Sequence, residues 1–579
     1  RLTSLAQLYE SMGDSMVALP LFIEANVNLL NQIKEIFSFR SEREKKAFLS
    51  KVEYLFGIYQ SANYRSMNLS EEYLEMNLKN QMSLKGLLLN SGKNILVELE
   101  KIENSTLGKL IMDFKRNNQL YSRQLALPPY LRTINFDSLL DLINNQEAQL
   151  VREYNTHIGA AIDYHKDWRK VQGALGKNEI AIEFSHFRYK TSKEWTDSIF
   201  YVAYLIKKEW EEPKMVFLFE EKQLSAILKQ KSPNQLYTTR GGKSQTTYKG
   251  GSFSDSLYHY LWSPLESYLE GVQKVYYSPD GLLHQIPFAA IGDSTGLLSD
   301  KYELVKLSSS YVLAEGQTEP DKSDFILIGG INYEYDTTAQ KSLGRLAYNF
   351  IDTSLRGTRS NGASWNYLEG TNQEILRLEQ LVKENNSRVT SWSSDMATEK
   401  RFKALSGKSP RVLHIATHGF FFEDPEDKAQ RAEESVYIQS KDPLMRSGLL
   451  LSGANYAWSH GSNPFEDENG ILTAMEISNM DLSNTDMVVL SACETGLGDI
   501  NGSEGVYGLQ RAFKMAGVNI IVMSLWQVPD KETTQFMNLF YGQWLKGIPV
   551  RTAFRKAQNE MQMKYPDEPL KWAAFVLFE

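Results

Sequence analysis

The chain holds one cysteine, Cys493, among 579 residues. It lies in Leu490-Ser-Ala-Cys-Glu-Thr-Gly496, directly after the apolar run Met487-Val-Val-Leu-Ser-Ala492. A second apolar run, Val412-Leu-His-Ile-Ala416, leads into Thr417-His418-Gly419. A thiol and an imidazole, each just past a buried strand, suit nucleophilic catalysis. The imidazole takes the thiol proton, the thiolate attacks a carbonyl, and the imidazolium returns the proton to the leaving amine. Gly419, without a Cβ, lets backbone approach a substrate closely, and its N–H together with that of Cys493 suits a developing oxyanion. Loss of such a donor typically costs roughly 3 kcal/mol of transition-state stabilisation. In open α/β sheets ligands sit beyond the carboxyl ends of the strands, so His418 and Cys493 meet if their strands are neighbours. The competing reading of a lone cysteine is a small buried hydrophobe. His414 also competes: four residues before His418, it points to the same side in an ideal strand. It lacks the following glycine and is read as a hydrogen-bonded structural residue, as is His284.

The elements that must position these groups are legible as alternating patterns. Residues 1 to about 170 read as helical, with apolar residues at helical spacing, as at Tyr54, Leu55, Ile58, Tyr59 and at Leu139, Leu140, Leu142, Ile143. Leu5, Ala6, Tyr9, Ala18, Phe22 and Ala25 fall at the intervals of a tetratricopeptide repeat, with a generic helical hairpin as the alternative. From Gly173 strands appear: Ile180–Phe184, Ser198–Ile206, Met215–Phe219 and Val272–Tyr277, with a Gly-rich loop from Ser232 to Ser252 and a helix from Ser254 to Leu269. Beyond Asp324 come the strand Phe325–Ile328, a long polar surface excursion from Tyr333 to Asn366, and a helix Thr371–Glu384 with Ile375, Leu376, Leu378 and Leu381 on its apolar side. The strands Val412–Ala416, Met487–Ala492 and Asn519–Trp526 are continuous apolar runs, which predicts a mostly parallel sheet covered on both faces. A helix Ser503–Ala516 stops at Gly517, Asp530 caps the next helix, Pro549 opens the last, and Trp572–Phe578 closes as a strand.

Composition narrows the function classes. With 63 basic and 71 acidic residues and a net charge of −8, there is no electrostatic footprint for nucleic acid. No run of about 18 apolar residues is evident, so no membrane partner is expected. One cysteine excludes an internal disulfide and a Cys-rich zinc site and fits a reducing, cytoplasmic setting. No metal or cofactor is expected. The start, Arg-Leu-Thr-Ser-Leu, has neither a signal-peptide pattern nor an initiator Met, so the chain is read as part of a longer protein, and because one repeat cannot bury its own face, earlier repeats are expected upstream.

His414-Ile-Ala-Thr-His-Gly-Phe420 and Leu490-Ser-Ala-Cys-Glu-Thr-Gly496 resemble the two signature motifs of the CHAT family, caspase-like peptidases usually found behind tetratricopeptide repeats. Pro279–Phe288, Leu368-Glu-Gly-Thr371, Glu504–Phe513, Ser524–Asp530 and Trp572–Phe575 resemble its other recurring segments, so the likeness covers roughly residues 175 to 579. The resemblance implies a caspase-like α/β fold, with a parallel-rich sheet flanked by helices. Like separase, the family places a degenerate lobe before the active one. The expected organisation is a helical repeat-like region at 1–170, a pseudo-caspase lobe at 171–317 and a catalytic lobe at 318–579. It also implies His418 as general base and acid, Cys493 as nucleophile, and Gly419 with Cys493 as oxyanion donors. One departure stands out. The gap from His418 to Cys493 is 75 residues, against about 50 in caspases. The excess is assigned to the polar stretches Glu423–Asp442 and Asn455–Asn469, read as processing or switch loops or as tolerated surface insertions, around a strand at Ser447–Ser452.

Asp530 and Glu504 are the candidates for a pocket that accepts Arg or Lys before the cut bond. By resemblance, the Leu-Trp-rich acidic segment of separase lies beside such a pocket. The alternatives are a helix cap for Asp530 and a helix-dipole partner for Glu504. The expected activity is that of a bacterial cysteine endopeptidase. It would cut a specific protein substrate and take its activating partner through the helical repeats. The rival readings are a non-catalytic repeat scaffold with a degraded peptidase lobe, and another thiol amidase or acyltransferase.

Overall fold

The computed structural model describes residues 1–66, 70–93, 95–127, 132–159, 166–229, 252–316, 318–334, 364–423, 436–460, 468–492, 498–500 and 505–579. The N-terminal region is helical, from Leu2–Ser11 through Trp168–Ala174. Its first two helices, Leu2–Ser11 and Ser15–Phe37, form a hairpin. Asp14 caps the second helix by accepting the Val17 N–H. Ala6, Ala18, Phe22 and Ala25 are buried in the hairpin core, as repeat spacing predicts, whereas Leu5 is exposed. The helix Ser15–Phe37 is long and apolar enough on average to cross a bilayer, which residue-by-residue reading missed. Its buried face, Phe22, Leu29, Ile33 and Phe37, packs into the helical core with Tyr59 and Tyr73.

The chain then builds two sheets. In the first, β1 (Glu179–Lys190), β2 (Trp195–Lys207), β3 (Lys214–Glu220) and β4 (Lys274–Ser278) precede a short hairpin of β5 (Gly292–Asp293) and β6 (Gly296–Leu297), and β7 (Glu303–Lys306) completes the order β3-β2-β1-β4-β7. The second contains β8 (Asp324–Ile331), β9 (Arg388–Ser394) and β10 (Val412–Ala416). A small antiparallel sheet follows, made of β11 (Gly419–Phe421), β12 (Ser447–Leu450) and β13 (Ile471–Thr473). Then come β14 (Met487–Ser491), a hairpin of β15 (Asp499–Ile500) and β16 (Val506–Tyr507), β17 (Ile520–Ser524) and β18 (Phe575–Phe578). The second sheet has the order β18-β17-β14-β10-β8-β9 and is parallel except at β18. The all-apolar runs are therefore strands buried on both faces by helices, as their composition requires. The edges β7 and β18 lie side by side, and the Ser308 N–H donates to the Glu579 carbonyl at 3.0 Å.

Several local expectations are corrected. The helix expected from Ser503 is Leu509–Met515, because Val506 and Tyr507 pair with Ile500 and Asp499 as a strand. Leu376 is exposed, and Val382 takes its place on the buried side of the helix Glu369–Glu384. Tyr54 and Leu142 are exposed as well. Pro529 and Pro549 occupy the cap positions of their helices, so Asp530 is the first helical residue and makes no capping hydrogen bond. Most of the Gly-rich loop and residues 335–363 of the polar excursion lie outside the described residues. The flanking Tyr333 and Trp365 are buried, which a surface excursion does not predict.

One half-buried acid in the helical region gives a stability prediction. Glu147 accepts the Glu42 N–H at 2.9 Å, and burial, followed by the Glu42 carboxylate, pushes its pKa up to about 7. The folded pKa exceeds the unfolded one, so stability falls as pH rises from about 4.5 to 7 and the full penalty stands above 7. Glu147→Gln keeps the acceptor and removes the charge. It should stabilise the chain by about 1–2 kcal/mol at pH 8 and by nothing below pH 4.5. Urea melts at both pH values check this; a destabilised variant at pH 8 would contradict it.

Candidate active site

His418 follows the carboxyl end of β10, and Cys493 follows that of β14. The two strands are adjacent and parallel, with Ala416 paired to Ser491. His418 is thus the second residue beyond one member of that pair, and Cys493 the second beyond the other. Neighbouring strands lie about 4.8 Å apart. Cys493 and Glu504 themselves lie outside the described residues.

The His418 ring is held from several sides. Its Nε2 lies 2.8 Å from the Asn366 carbonyl, which only accepts, so Nε2 carries hydrogen and Nδ1 is the basic nitrogen of the neutral ring. The rings of Tyr333 and Trp365 flank it, with centroids 5.0 and 4.9 Å away. Trp365 is pinned by Asn455, whose Oδ1 accepts its N–H at 2.7 Å and whose Nδ2 donates to its carbonyl at 3.0 Å. The Tyr333 hydroxyl accepts the His418 N–H at 3.4 Å and pairs with the Thr417 hydroxyl at 2.9 Å. None of Tyr333, Trp365 or Asn455 was marked by the sequence motifs. Asn455 and Trp458, expected in a polar insertion, belong to a buried helix, Ala454–His460, whose Trp458 packs against Trp365.

Gly419 begins β11, an edge strand. Leu450 N–H donates to the His418 carbonyl at 3.0 Å, which makes Gly419 and Leu449 a non-hydrogen-bonded pair. The Gly419 N–H therefore points away from the β12 ladder, the orientation an oxyanion donor needs.

His414 is separated from this site. It is fully buried, with Nε2 2.7 Å from Glu374 Oε1 and Nδ1 3.2 Å from the Tyr541 hydroxyl, so it ties β10 to the helix layer. The same-side expectation fails because β10 ends at Ala416, before the His418 ring is set. His284 is buried as well. Burial, followed by Lys306, lowers its pKa to about 3, which keeps it neutral.

Both flanks of the 493–497 segment are tethered. The Ala492 carbonyl accepts from the Ser524 hydroxyl on β17 at 2.8 Å. Asp499 on β15 accepts from the guanidinium of Arg446, which is fully buried and also donates to the carbonyls of Phe422 and Ser440 at 3.0 and 2.8 Å. Further along, the buried Arg511 pairs with Glu42 of the helical region at 2.7 Å, and Lys46 lies over the Tyr507 ring at 4.8 Å.

A shallow cleft of about 30 Å³ lies at the carboxyl ends of β10, β14 and β17. Thr417, Ser491, Ala492 and Ser524 line it, and Glu374 and Asp530 are its two acids. Asp530 is exposed, while Glu374 is already engaged by His414. Burial beneath Asp530, then the Glu374 charge, raises the Asp530 pKa. Gly370 lies so close that a Cβ there would stand 2.6 Å from Asp530 Cβ, which explains a glycine in Leu368-Glu-Gly-Thr371. Among the described residues, the carboxylates of Glu399, Glu468 and Glu476 converge, but the Lys403 ammonium sits among them at 2.5 to 2.7 Å and fills the space a cation would take.

A stretch of 108 residues is 32% identical to Tetratricopeptide repeat protein 28 of Mus musculus and, equally, to that of Homo sapiens. It takes in 18% of this chain and 4% of each relative, so the chain spans a small part of their length. Among solved structures, the Saccharomyces cerevisiae separase–securin complex gives a TM-score of 0.41 at 9% identity, covering 96% of this chain and 40% of that one. The Arg specific cysteine proteinase gingipain R gives 0.31 at 9%, covering 56% and 65%. The model of the CHAT domain matches residues 252–579, more than half of the sequence. That span holds β10, β14, the cleft between them and the caspase-like sheet, and the chain belongs to the CHAT family.

Proposed function

We propose that this protein is a cysteine endopeptidase in which Cys493 is the nucleophile and His418 the general base and acid. The pairing of Ala416 with Ser491 carries the reading, since it gives both residues the same offset beyond adjacent parallel strands. His418 Nδ1 takes the thiol proton, and the thiolate adds to the peptide carbonyl. The Gly419 and Cys493 N–H groups receive the oxyanion, and the imidazolium protonates the leaving amine. Water then hydrolyses the thioester. Residues 171–317 serve as a non-catalytic lobe and 318–579 as the catalytic lobe. The substrate is a specific protein in a reducing, cytoplasmic compartment. A partner bound to the helical region reaches the catalytic lobe through Glu42 and Lys46, which grip Arg511 and Tyr507, residues that follow Cys493 in sequence.

Asp530 is the basis for selecting Lys or Arg before the cut bond, with Glu504 as a second acid. Profiling a peptide library by mass spectrometry, beside Cys493→Ala, tests the activity and its preference together. Asp530→Asn is expected to lower kcat/KM for Lys and Arg peptides by about 10–100-fold and to spare others, as loss of a charge-assisted contact would. Because the Asp530 pKa is raised, its charge, and cleavage after basic residues, should fade on acidification at a pH above the ordinary aspartate value of about 3.9. That limb should vanish in Asp530→Asn. An unchanged preference in the variant would remove Asp530 from the pocket while leaving the dyad untouched.

A further inference from the structure

We infer that the junction between the helical region and the two sheets is a binding site for a small phosphate-bearing polyanion. The inference is independent of the peptidase reading. A cavity of about 270 Å³ opens at Asn519 and Ile520, the amino end of β17, whereas His418 and the acidic cleft lie at the opposite, carboxyl end of the sheet. All three parts of the chain line it: Lys85 and Lys93 of the helical region, Tyr311 and Glu315 beyond β7, and Lys514 and Arg551 of the second sheet's layer.

Three of its five cations are answered. Lys85 pairs with Glu183 at 2.5 Å, Lys166 with Glu315 at 2.9 Å, and Arg551 with Glu579 at 2.5 Å. The other two converge on one neutral residue. Lys93 Nζ donates to Asn519 Oδ1 at 3.2 Å, and Lys514 Nζ donates to the Asn519 backbone carbonyl. Among the described residues neither has a carboxylate within ion-pair distance, yet Lys514 is only 8% exposed. The buried Lys514 ammonium and the half-buried Lys93 ammonium meet at Asn519 with no anion between them, which is costly, and a bound anion would offset the desolvation and the repulsion. Burial, then the Lys93 charge, lowers the Lys514 pKa to about 7 against the opposing pull of Glu579. Ammonium groups are point charges suited to phosphate oxygens, and the cavity's size fits a small molecule rather than a polymer.

Calorimetric titration of the whole chain with inorganic pyrophosphate, at fixed ionic strength, tests the site. One saturable site per chain is expected. Lys93→Gln and Lys514→Gln should each weaken it at least about tenfold, and the exposed Lys383→Gln should leave it unchanged. Asn519→Asp keeps the side-chain shape and sets a carboxylate between the two ammonium groups. It should abolish pyrophosphate binding and raise the melting temperature, so it answers even where a lysine variant fails to fold. A parallel titration with citrate separates phosphate from polycarboxylate. No saturable pyrophosphate binding, tighter binding of citrate, or undiminished binding or a lowered melting temperature in Asn519→Asp would each overturn the assignment.

Discussion

Cys493→Ala is expected to leave no peptide cleavage above background, and His418→Ala to lower kcat/KM by at least about 10⁴-fold, both without loss of fold. The size follows from roles that act as a unit: without the thiol no acyl-enzyme forms, and without the imidazole the thiol stays protonated. The chain offers a direct readout, because it holds one cysteine and iodoacetamide labelling therefore reports one site. In the parent, the labelling rate should already be substantial near neutral pH. In His418→Ala its midpoint should move toward the free thiol value of about 8.5. The contact between Nε2 and the Asn366 carbonyl sharpens the test, since it commits Nδ1 to the proton transfer. Cleavage by Cys493→Ala at the parent's rate would end the peptidase reading, and identical labelling curves would remove His418 from it.

Arg446→Met should cost about 10²-fold in kcat/KM, mostly in kcat, while peptide binding changes little. The guanidinium touches no expected substrate position. It joins the strand after His418, the chain at Ser440 and the hairpin that follows the Cys493 segment, and so sets where that segment emerges. Misplacing a reacting group by about 1 Å is enough for a loss of this size. Asp499 keeps some contact with water, so the orphaned carboxylate is less damaging than a fully buried one. Arg446→Lys should not rescue, because one ammonium cannot meet three acceptors spread around a planar fork. Activity and thiol labelling measured well below the melting temperature separate misplacement from unfolding. A folded Arg446→Met with more than half the parental kcat would refute the positioning role.

The strands and their parallel arrangement were readable because each rests on a local signal, an unbroken apolar run. What escaped reading was fixed by distant partners. Val506 fits a helical period, yet Ile500 claims it for a strand. Asp530 has the right chemistry for a cap, but Pro529 takes the cap position and leaves Asp530 facing the cleft. Arg446 looks like any surface arginine, because two of its three acceptors are main-chain carbonyls that leave no trace in residue types. Tyr333 and Trp365 were hidden by the polar composition between them, although both end against the His418 ring.

The contact between β7 and β18 bears on reaction order. An open strand edge is a template for a second molecule, but the β18 edge of the second sheet is already covered by the chain's own first sheet, and Val576, Leu577 and Phe578 are buried there. Two copies cannot pair along β18 unless the first sheet is displaced. Any switching through this edge should therefore follow first-order kinetics, because displacement of the first sheet within one chain must come first.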